Sequence, residues 1–340
     1  MKALITGSTG MIGSAFVPAC RARGWEVVGL ARSTSAGRLR QDYDHRLVPA
    51  DILDSEALGR IFARERPDVV IHLAAQAFNG SSWDLEQYTH QANVLGTRHV
   101  LHAARTACPR ARVLLACSSA EYGDVQPEEC PLPEARPLRP ITPYGVSKVA
   151  TECLGYQYFK NHGLAVYLPR LFIHVGTGHP PATAIQNFAR QVALIARGRG
   201  EPVIRVGRLD TARDFIDVRD GVDGMMRLLD HGRPGDPINI CTGEAVTIRE
   251  VLATLLELGG VKADVREDPA LLRPTDEPLL LGDNRKLRAL GWERRFPLRA
   301  TLAAVLEDWM QRTTPISHDQ ALPRRLHHHL RPARARGAAA

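Results

Sequence analysis

The chain of 340 residues is 44% apolar and 24% charged, which is typical of a folded protein with one or two domains and excludes disorder as the main state. No apolar run approaches the roughly 20 residues that a membrane helix needs, and the N-terminal apolar stretch is too short for a signal peptide, so we expect a cytoplasmic protein without a membrane partner. The net charge is +7, and five arginines and one aspartate in residues 313–340 account for +4 of it. Residues 1–312 are therefore only mildly basic, which argues against nucleic-acid binding.

The spacing of cysteines and histidines predicts neither a disulfide framework nor a metal site. The six cysteines form no C-x-x-C pair and are spread along the chain at Cys20, Cys108, Cys117, Cys130, Cys153 and Cys241. This usage is typical of a reducing compartment. Three adjacent histidines at 327–329 have no further ligands beside them. We therefore expect no metal, and we expect residues 313–340 to form a basic, disordered tail.

Apolar strands and amphipathic helices alternate through the first 170 residues. Predicted strands cover residues 2–6, 26–30, 47–50, 69–73, 112–117 and 165–168. Predicted helices cover 11–23, 55–66, 93–107 and 143–162, and glycine or proline marks their ends. The alternation predicts an α/β protein with a doubly wound parallel sheet, the Rossmann fold.

The alternation breaks after about residue 170, where shorter and more mixed elements follow a loop-rich stretch at 176–181. This change predicts a smaller C-terminal α/β lobe beside the sheet. We expect residues 1–170 to form the cofactor-binding domain, completed by strands that return from the later chain. Residues 171–312 are then mainly the substrate-binding lobe.

A glycine-rich loop follows the first predicted strand and precedes the first predicted helix. Gly7, Gly10 and Gly13 form the pattern G-x-x-G-x-x-G. In such a loop the first glycine permits a tight turn, the second lets backbone approach a phosphate, and the third lets the helix pack on the strand. Because the loop stands between a strand and a helix, it predicts a dinucleotide-binding site.

The end of the second predicted strand distinguishes the two nicotinamide cofactors. An acidic residue there binds the adenosine ribose of NAD(H), whereas this chain has Arg32, with hydroxyls at Ser33 and Ser35. A cation and hydroxyl donors favour a 2′-phosphate, so we expect NADP(H) in preference to NAD(H). Asp51 and Ile52, after the third strand, are expected beside the adenine by their position.

Tyr144 and Lys148 stand four residues apart at the start of the predicted helix 143–162, which places both side chains on one helix face. A phenol with a pKa of about 10 exchanges protons poorly at neutral pH, and a nearby ammonium stabilises the phenolate and lowers that pKa. Ser118 ends the fifth predicted strand, where its hydroxyl can point at the same carbonyl oxygen. Together with the glycine loop, these three residues predict a catalytic set.

Several stretches of the chain resemble the extended short-chain dehydrogenase/reductases over residues 1–312. The stretches are SSAEYG (118–123), PITPYGVSK (140–148), RDFIDVRD (213–220), LRPTDEPLLLGDNRK (272–286) and LGW (290–292). Within that superfamily the chain is most similar to the GDP-mannose branch, which contains GDP-mannose 4,6-dehydratases and the GDP-4-keto-6-deoxy-mannose reductases that make GDP-rhamnose. The resemblance implies a nucleotide-sugar substrate.

One position separates the two activities of that branch. The resemblance implies that a dehydratase carries a catalytic carboxylate two residues before the Tyr-Gly pair, and here Ala120 occupies that position. A methyl group transfers no proton, so we favour NADPH-dependent reduction of a C4 ketone, with Tyr144 as proton donor. Glu121 is also a catalytic candidate if the strand end bends; otherwise it is a surface or loop-bonding carboxylate. The alternative is a 4,6-dehydratase or a 4-epimerase that recycles its bound cofactor.

The resemblance also implies which residues contact the cofactor and the substrate. The cofactor contacts implied are Gly7, Thr9, Gly10, Met11, Ile12, Gly13, Arg32, Asp51, Ile52, Leu73, Ala74, Ala75, Tyr144 and Lys148. The substrate contacts implied are Ser119, His174, Arg213, Arg273 and Asp276, with the two arginines on the diphosphate. Ile173 replaces a family asparagine that bonds the substrate, which predicts an altered sugar pocket. Helices 93–107 and 143–162 are, by resemblance, the interface of a homodimer.

Overall fold

Seven parallel strands form the central sheet of the computed structural model, which describes residues 1–32, 44–272 and 277–314. These strands are β1 (Lys2–Thr6), β2 (Glu26–Ala31), β3 (Arg46–Pro49), β4 (Val69–His72), β5 (Arg112–Leu115), β7 (Ala165–Leu171) and β11 (Pro237–Ile240). Their spatial order is β3-β2-β1-β4-β5-β7-β11. β2 and β3 therefore lie on one side of β1, and β4 and the later strands lie on the other side. This reversal of strand order opens a crevice at the carboxyl ends of the strands. The predicted doubly wound sheet is confirmed.

Helices cover both faces of this sheet. The helices beside it are α1 (Met11–Ala22), α2 (Ser55–Glu65), α4 (Gly96–Ala107), α5 (Pro143–His162) and α7 (Val218–His231). α1 and α7 enclose one apolar core with the strands, and α2, α4 and α5 enclose the other. None of the helices in the described ranges combines the length and apolar content that crossing a bilayer requires.

Three elements differ by more than one residue from the bounds expected from the sequence. The helix predicted at 93–107 starts earlier, as α3 (Glu86–His90) and a π-helical segment (Gln91–Leu95) that runs into α4. The strand predicted at 112–117 is interrupted at Ala116, and its last part is the separate strand β6 (Cys117–Ser118), which pairs with β7. β7 extends three residues beyond its predicted end because β6 and β11 pair with that extension.

The later chain builds a second, smaller lobe. A mixed sheet consists of β8 (Ile173–Val175), β10 (Ala212–Asp217), β12 (Ala245–Thr247) and β14 (Leu279–Leu280), and β9 (Val203–Val206) pairs with β13 (Asp264–Glu267). Its helices are α6 (Ala184–Ala196), α8 (Ile248–Gly259), α9 (Arg285–Ala289) and α10 (Leu298–Arg312). α6, α8 and α10 share an apolar core with β8, β9 and β10. β11, α7 and the residues around α9 return to the first core.

The helix that carries the predicted catalytic residues is specified by local sequence at both ends. The Thr142 hydroxyl accepts a hydrogen bond from the Gly145 N–H at 3.0 Å, and Pro143 occupies the first helical position. Gly163 ends the helix with a φ of 66°, a left-handed conformation that favours glycine. α5 therefore has the bounds expected from the sequence, 143–162.

His72, on β4, links this strand to the neighbouring strand β1 and to helix α4. Its Nδ1 lies 2.7 Å from the Thr6 hydroxyl on β1, and its Nε2 lies 3.0 Å from the Thr97 hydroxyl on α4. The ring is buried, and burial lowers the pKa of His72 from 6.5 to about 3. The neutral imidazole therefore bridges three elements at the base of the crevice.

This burial predicts a loss of stability in acid. Because the pKa of His72 is lower in the folded state, the unfolded chain binds the proton more strongly, and stability falls as the pH falls from about 6.5 toward 3. Between pH 7 and pH 5 we expect His72 to account for about 2 kcal/mol of lost unfolding free energy. Urea denaturation of wild type and His72→Gln at both pH values measures this contribution. Equal pH dependence in the two proteins would contradict it.

Candidate active site

The glycine loop makes a tight turn between β1 and α1. The Gly7 N–H donates to the Leu30 carbonyl at 2.9 Å, and the Gly10 N–H donates to the Gly7 carbonyl at 3.0 Å. Gly7 has a φ of 72°, so a side chain at this position would be strained. α1 begins at Met11, and the N-terminus of the helix therefore points into the crevice at the level of the loop.

Close backbone packing explains two of the three glycines. A Cβ on Gly13 would lie 2.2 Å from the Gly7 carbonyl oxygen, and one on Gly7 would lie 2.9 Å from the Ala74 nitrogen. Gly10 is different, because it is exposed and its nearest obstacle would be 3.4 Å away. Thr9, Met11 and Ile12 are half-buried around it. The loop thus leaves backbone open at Gly10, the position predicted to approach a phosphate.

The other residues predicted to contact the cofactor lie around the ends of β2, β3 and β4. Arg32 is exposed at the end of β2 and donates to the Tyr88 hydroxyl at 2.6 Å. The Asp51 carboxylate accepts from the Leu53 N–H at 2.9 Å, and Ile52 packs against Gly96. Leu73, Ala74 and Ala75 are half-buried after β4. Ser33 and Ser35 lie outside the described residues.

The Lys148 side chain extends to the carboxyl end of β5, where Ala116 separates β5 from β6. Its buried ammonium donates to the Ala116 carbonyl at 2.8 Å and lies 5.8 Å from the centre of the Tyr144 ring. Tyr144 is half-buried, one turn earlier on the same face of α5. The Tyr144 ring and the Lys148 ammonium therefore lie together beyond the carboxyl end of β5.

Ser118 ends β6 and caps the short 3₁₀ turn Ser119–Glu121. Its hydroxyl accepts from the Ala120 N–H at 3.2 Å, and its own N–H donates to the Glu121 carboxylate at 2.7 Å. α5 packs directly on this turn, because a Cβ on Gly145 would lie 2.5 Å from the Ala120 carbonyl oxygen. Gly145 therefore allows the helix that carries Tyr144 to approach the Ser118 turn.

Glu121 is fully buried and points into the protein interior. One oxygen accepts the Ser118 N–H, and the other lies 3.6 Å from the Arg170 guanidinium. Burial, together with the negative charge of Glu152, raises the pKa of Glu121 well above its usual range. Of the two non-catalytic roles expected for Glu121, the loop-bonding one is found. The surface role is wrong, because the 3₁₀ turn directs the side chain inward.

Sequence reasoning missed Asn93, a buried residue that is hydrogen-bonded to the catalytic helix and to Gln76. The Asn93 amide donates to the Ser147 hydroxyl at 2.9 Å and to the Gln76 carbonyl at 3.0 Å, and it accepts from the Gln76 N–H at 2.8 Å. The Thr151 hydroxyl donates to the Asn93 carbonyl at 3.0 Å. These partners are 17–58 residues away in the chain, so no local spacing motif marks them.

The predicted substrate contacts fall on the second lobe and on the Ser118 turn. Arg213, on β10, is buried and donates to the Ala212 and Glu277 carbonyls at 2.9 and 2.7 Å. The Nδ1 of His174 lies 2.9 Å from the Phe172 carbonyl, and the ring packs against Gly221, while burial lowers the pKa of His174 to about 4. Ser119 is buried in the turn. Arg273 and Asp276 lie outside the described residues.

The parallel sheet with its flanking helices is arranged as in the extended short-chain dehydrogenase/reductases, a class of nicotinamide-dependent enzymes. The family model described as GDP-mannose 4,6 dehydratase matches residues 4–305. The chain belongs to that family, and it is an enzyme of the nucleotide-sugar group that contains dehydratases, reductases and epimerases.

Three known proteins illustrate the similarity. The chain is 34% identical over 263 residues to a GDP-6-deoxy-D-mannose reductase of Pseudomonas aeruginosa, with 77% of this chain and 86% of the relative covered. The structure of RMD from Pseudomonas aeruginosa complexed with NADPH superposes with a TM-score of 0.81 at 30% identity, covering 92% of this chain and all of that one. A Thermus thermophilus UDP-glucose 4-epimerase complex with NAD has a TM-score of 0.81 at 28% identity, covering 91% and 99%.

The packing at Gly13 gives a test of the cofactor loop. We expect Gly13→Ala to weaken NADPH binding at least about tenfold, because the added methyl collides with the backbone of the loop. Gly59→Ala is the matched control, since Gly59 lies inside α2 and an added methyl there would have no neighbour within 4 Å. Fluorescence titration with NADPH measures both variants. Binding by Gly13→Ala as tight as by the control would contradict the assignment.

Proposed function

We propose that the enzyme uses NADPH to reduce the C4 ketone of a GDP-4-keto-6-deoxy-hexose to a GDP-rhamnose type product, with Tyr144 as the proton donor. The similarity to the Pseudomonas aeruginosa reductase supports this substrate class. The geometry of Ser118, Tyr144 and Lys148 at the crevice supports carbonyl chemistry. A cytoplasmic location stays a prediction.

One observation favours reduction over dehydration. A 4,6-dehydratase needs a carboxylate to remove the C5 proton, and the position expected for it is Ala120. The adjacent Glu121 is fully buried, bonded to the Ser118 N–H and turned toward Arg170. Reduction needs no such base, because only the ketone oxygen receives a proton from the protein.

The chain's own residues divide the reaction between them. NADPH, when bound, supplies the hydride for C4. The Ser118 hydroxyl bonds the ketone oxygen, and the Tyr144 phenol donates its proton to the same oxygen as negative charge develops there. The Lys148 ammonium, fixed to the Ala116 carbonyl, stabilises the resulting phenolate and holds the nicotinamide ribose.

The second lobe provides the groups for the nucleotide diphosphate. The Arg213 guanidinium is fixed by two carbonyls at the junction of β10 and β14, and its planar charge suits a diphosphate. Arg273 and Asp276, just before Glu277, are proposed as the second diphosphate arginine and the acid on the nucleoside. His174 and Ser119 are proposed to border the sugar, in a pocket altered by Ile173.

A homodimer through residues 93–107 and 143–162 is part of the proposal. Leu95 and Val146 are large apolar side chains on these segments, and they are 42% and 45% exposed. An apolar groove continues between them, lined by His90, Gln91, Val94, Leu95, Arg98, Ala150 and Leu154. A second copy that contributes the same two segments would cover this surface.

Removing the phenol tests the proton donor. We expect Tyr144→Phe to lower kcat by about 10²–10⁴ while NADPH still binds, because only the transferable proton is lost. Tyr156→Phe is the matched control, since Tyr156 lies on the same helix but is exposed. Turnover of a GDP-4-keto-6-deoxy-hexose is followed by NADPH absorbance. A Tyr144→Phe rate within a few-fold of the control would refute this role.

The same assay separates the proposal from the alternative. A reductase oxidises one NADPH for each product formed, whereas a dehydratase or epimerase returns the hydride and shows no net change in NADPH. Conversion of GDP-mannose without consumption of NADPH would therefore establish the alternative, and Glu121 would then need a new conformation.

Arg32 gives a test of cofactor preference. We expect Arg32→Ala to lower kcat/KM for NADPH about tenfold or more and to change the value for NADH little, because the lost charge is the one proposed to pair with the 2′-phosphate, which NADH lacks. Arg60→Ala, an exposed arginine on α2, is the control. Kinetics with both cofactors give the ratio. An unchanged ratio in Arg32→Ala would remove the basis for preferring NADP(H).

A further inference from the structure

A buried cluster of charged side chains lies beside Ser118. It consists of Glu121 on the 3₁₀ turn, Glu152 on α5 and Arg170 on β7. Arg170 makes a bidentate pair with Glu152, at 2.8 and 2.7 Å, and lies 3.6 Å from Glu121. None of the chemistry proposed above uses these three residues.

The charges in this cluster do not balance if both glutamates are ionised. Two carboxylates face one guanidinium, and Arg170 already directs both of its paired donors to Glu152. The Glu121 Oε2 is buried without a hydrogen-bond partner among the described residues. An uncompensated buried carboxylate is strongly unfavourable, whereas a carboxylic acid becomes a hydrogen-bond donor. A proton on Glu121 therefore removes the excess negative charge and allows its Oε2 to donate a hydrogen bond.

The neighbouring side chains indicate that Glu152 is the acceptor for a hydrogen bond from that proton. One oxygen of Glu121, one oxygen of Glu152 and the Cys117 sulfur lie within 4.8 Å of one another. Burial raises the pKa of the Cys117 thiol well above its usual range, so this neighbour stays neutral. The Arg170 guanidinium supplies the positive charge in this cluster, which is why we assign a proton and not a metal ion to it.

The cluster joins the two elements that carry the catalytic groups. Glu121 accepts the N–H of Ser118 at 2.7 Å. Glu152 follows Tyr144 and Lys148 on the same face of α5, because the three residues are four apart. A hydrogen bond donated by a protonated Glu121 to Glu152 would connect the Ser118 turn to the catalytic helix.

We infer that Glu121 is a positioning residue: as a neutral acid it holds the Ser118 backbone, donates a hydrogen bond to Glu152, and so fixes the Ser118 hydroxyl relative to Tyr144. This inference rests on the proposed function for its catalytic consequence, since Ser118 is assigned to the ketone oxygen there. The protonated glutamate itself is a property of the folded chain and does not depend on the substrate.

Infrared difference spectroscopy of the full-length protein tests the proton directly. A buried carboxylic acid has a C=O stretch that is resolved from carboxylate bands and shifts in D₂O. We expect the wild-type minus Glu121→Gln spectrum to contain this band. Glu152→Gln should also lose it, because the remaining glutamate then faces Arg170 alone and ionises.

Glu134→Gln is the matched control for the infrared measurement. Glu134 is a buried glutamate that accepts a backbone N–H, from Asn239 at 2.9 Å, and it lies outside the Ser118 turn. Its substitution should leave the band in place. A wild-type protein without the band, or a band that survives in Glu121→Gln, overturns the inference.

A double-mutant cycle tests the positioning role. Glutamine keeps an acceptor for Ser118 and a donor for Glu152, so we expect Glu121→Gln to retain at least about a third of the wild-type kcat. Glu121→Leu loses both bonds and should lower kcat about tenfold or more, with a smaller change in the KM of the nucleotide sugar. In a Ser118→Ala background, Glu121→Leu should lower kcat less than about threefold, because Glu121 acts through Ser118.

The outcomes of the cycle separate positioning from a purely structural role. If the effects of Glu121→Leu and Ser118→Ala on kcat multiply, Glu121 acts independently of Ser118 and the inference is wrong. If Glu121→Leu does not fold, Glu121→Gln and the infrared band still decide the matter. Wild-type enzyme that reduces no GDP-4-keto-6-deoxy-hexose refutes the proposed function, and the infrared result then stands separately.

Discussion

The hydrogen bond from the Lys148 ammonium to the Ala116 carbonyl ties the catalytic helix to the carboxyl end of β5. Ala116 is the residue at which β5 stops and β6 begins, so its carbonyl is free of strand pairing and can accept a side chain. The bond brings the start of α5 to the edge of the sheet. Tyr144 follows because it lies one helical turn before Lys148. The strand interruption is thus part of the site.

Buried polar contacts hold the same helix on two sides. On one side Ser147 and Thr151 bond to Asn93 of the π-helical segment, and on the other Glu152 bonds to Arg170 of β7. Because unpaired buried polar groups are unfavourable, these contacts permit few alternative helix positions. A catalytic group on such a helix is preorganised, which is what proton transfer to a developing charge requires.

Local sequence predicted the features that depend on neighbouring residues. Thr142, Pro143 and Gly163 specify the two ends of α5, and the glycine loop specifies the turn before α1. The inward direction of Glu121 was beyond such reasoning. It depends on the 3₁₀ turn after Ser118 and on Arg170, which is 49 positions further along the chain and reaches the turn only through strand pairing.

Residues 120 and 121 show how one shared scaffold separates related reactions. A reductase, dehydratases and an epimerase are among the proteins to which this chain is similar, so the shared fold does not determine which of these reactions it performs. Between dehydration and reduction, the choice depends on whether a carboxylate reaches the sugar carbon next to the ketone. In this chain Ala120 offers a methyl group, and the only adjacent carboxylate is turned inward to support Ser118. Under the proposed function, the 3₁₀ turn after Ser118 therefore has two effects. It keeps the Glu121 carboxylate away from the sugar, and it positions the Ser118 hydroxyl that polarises the ketone.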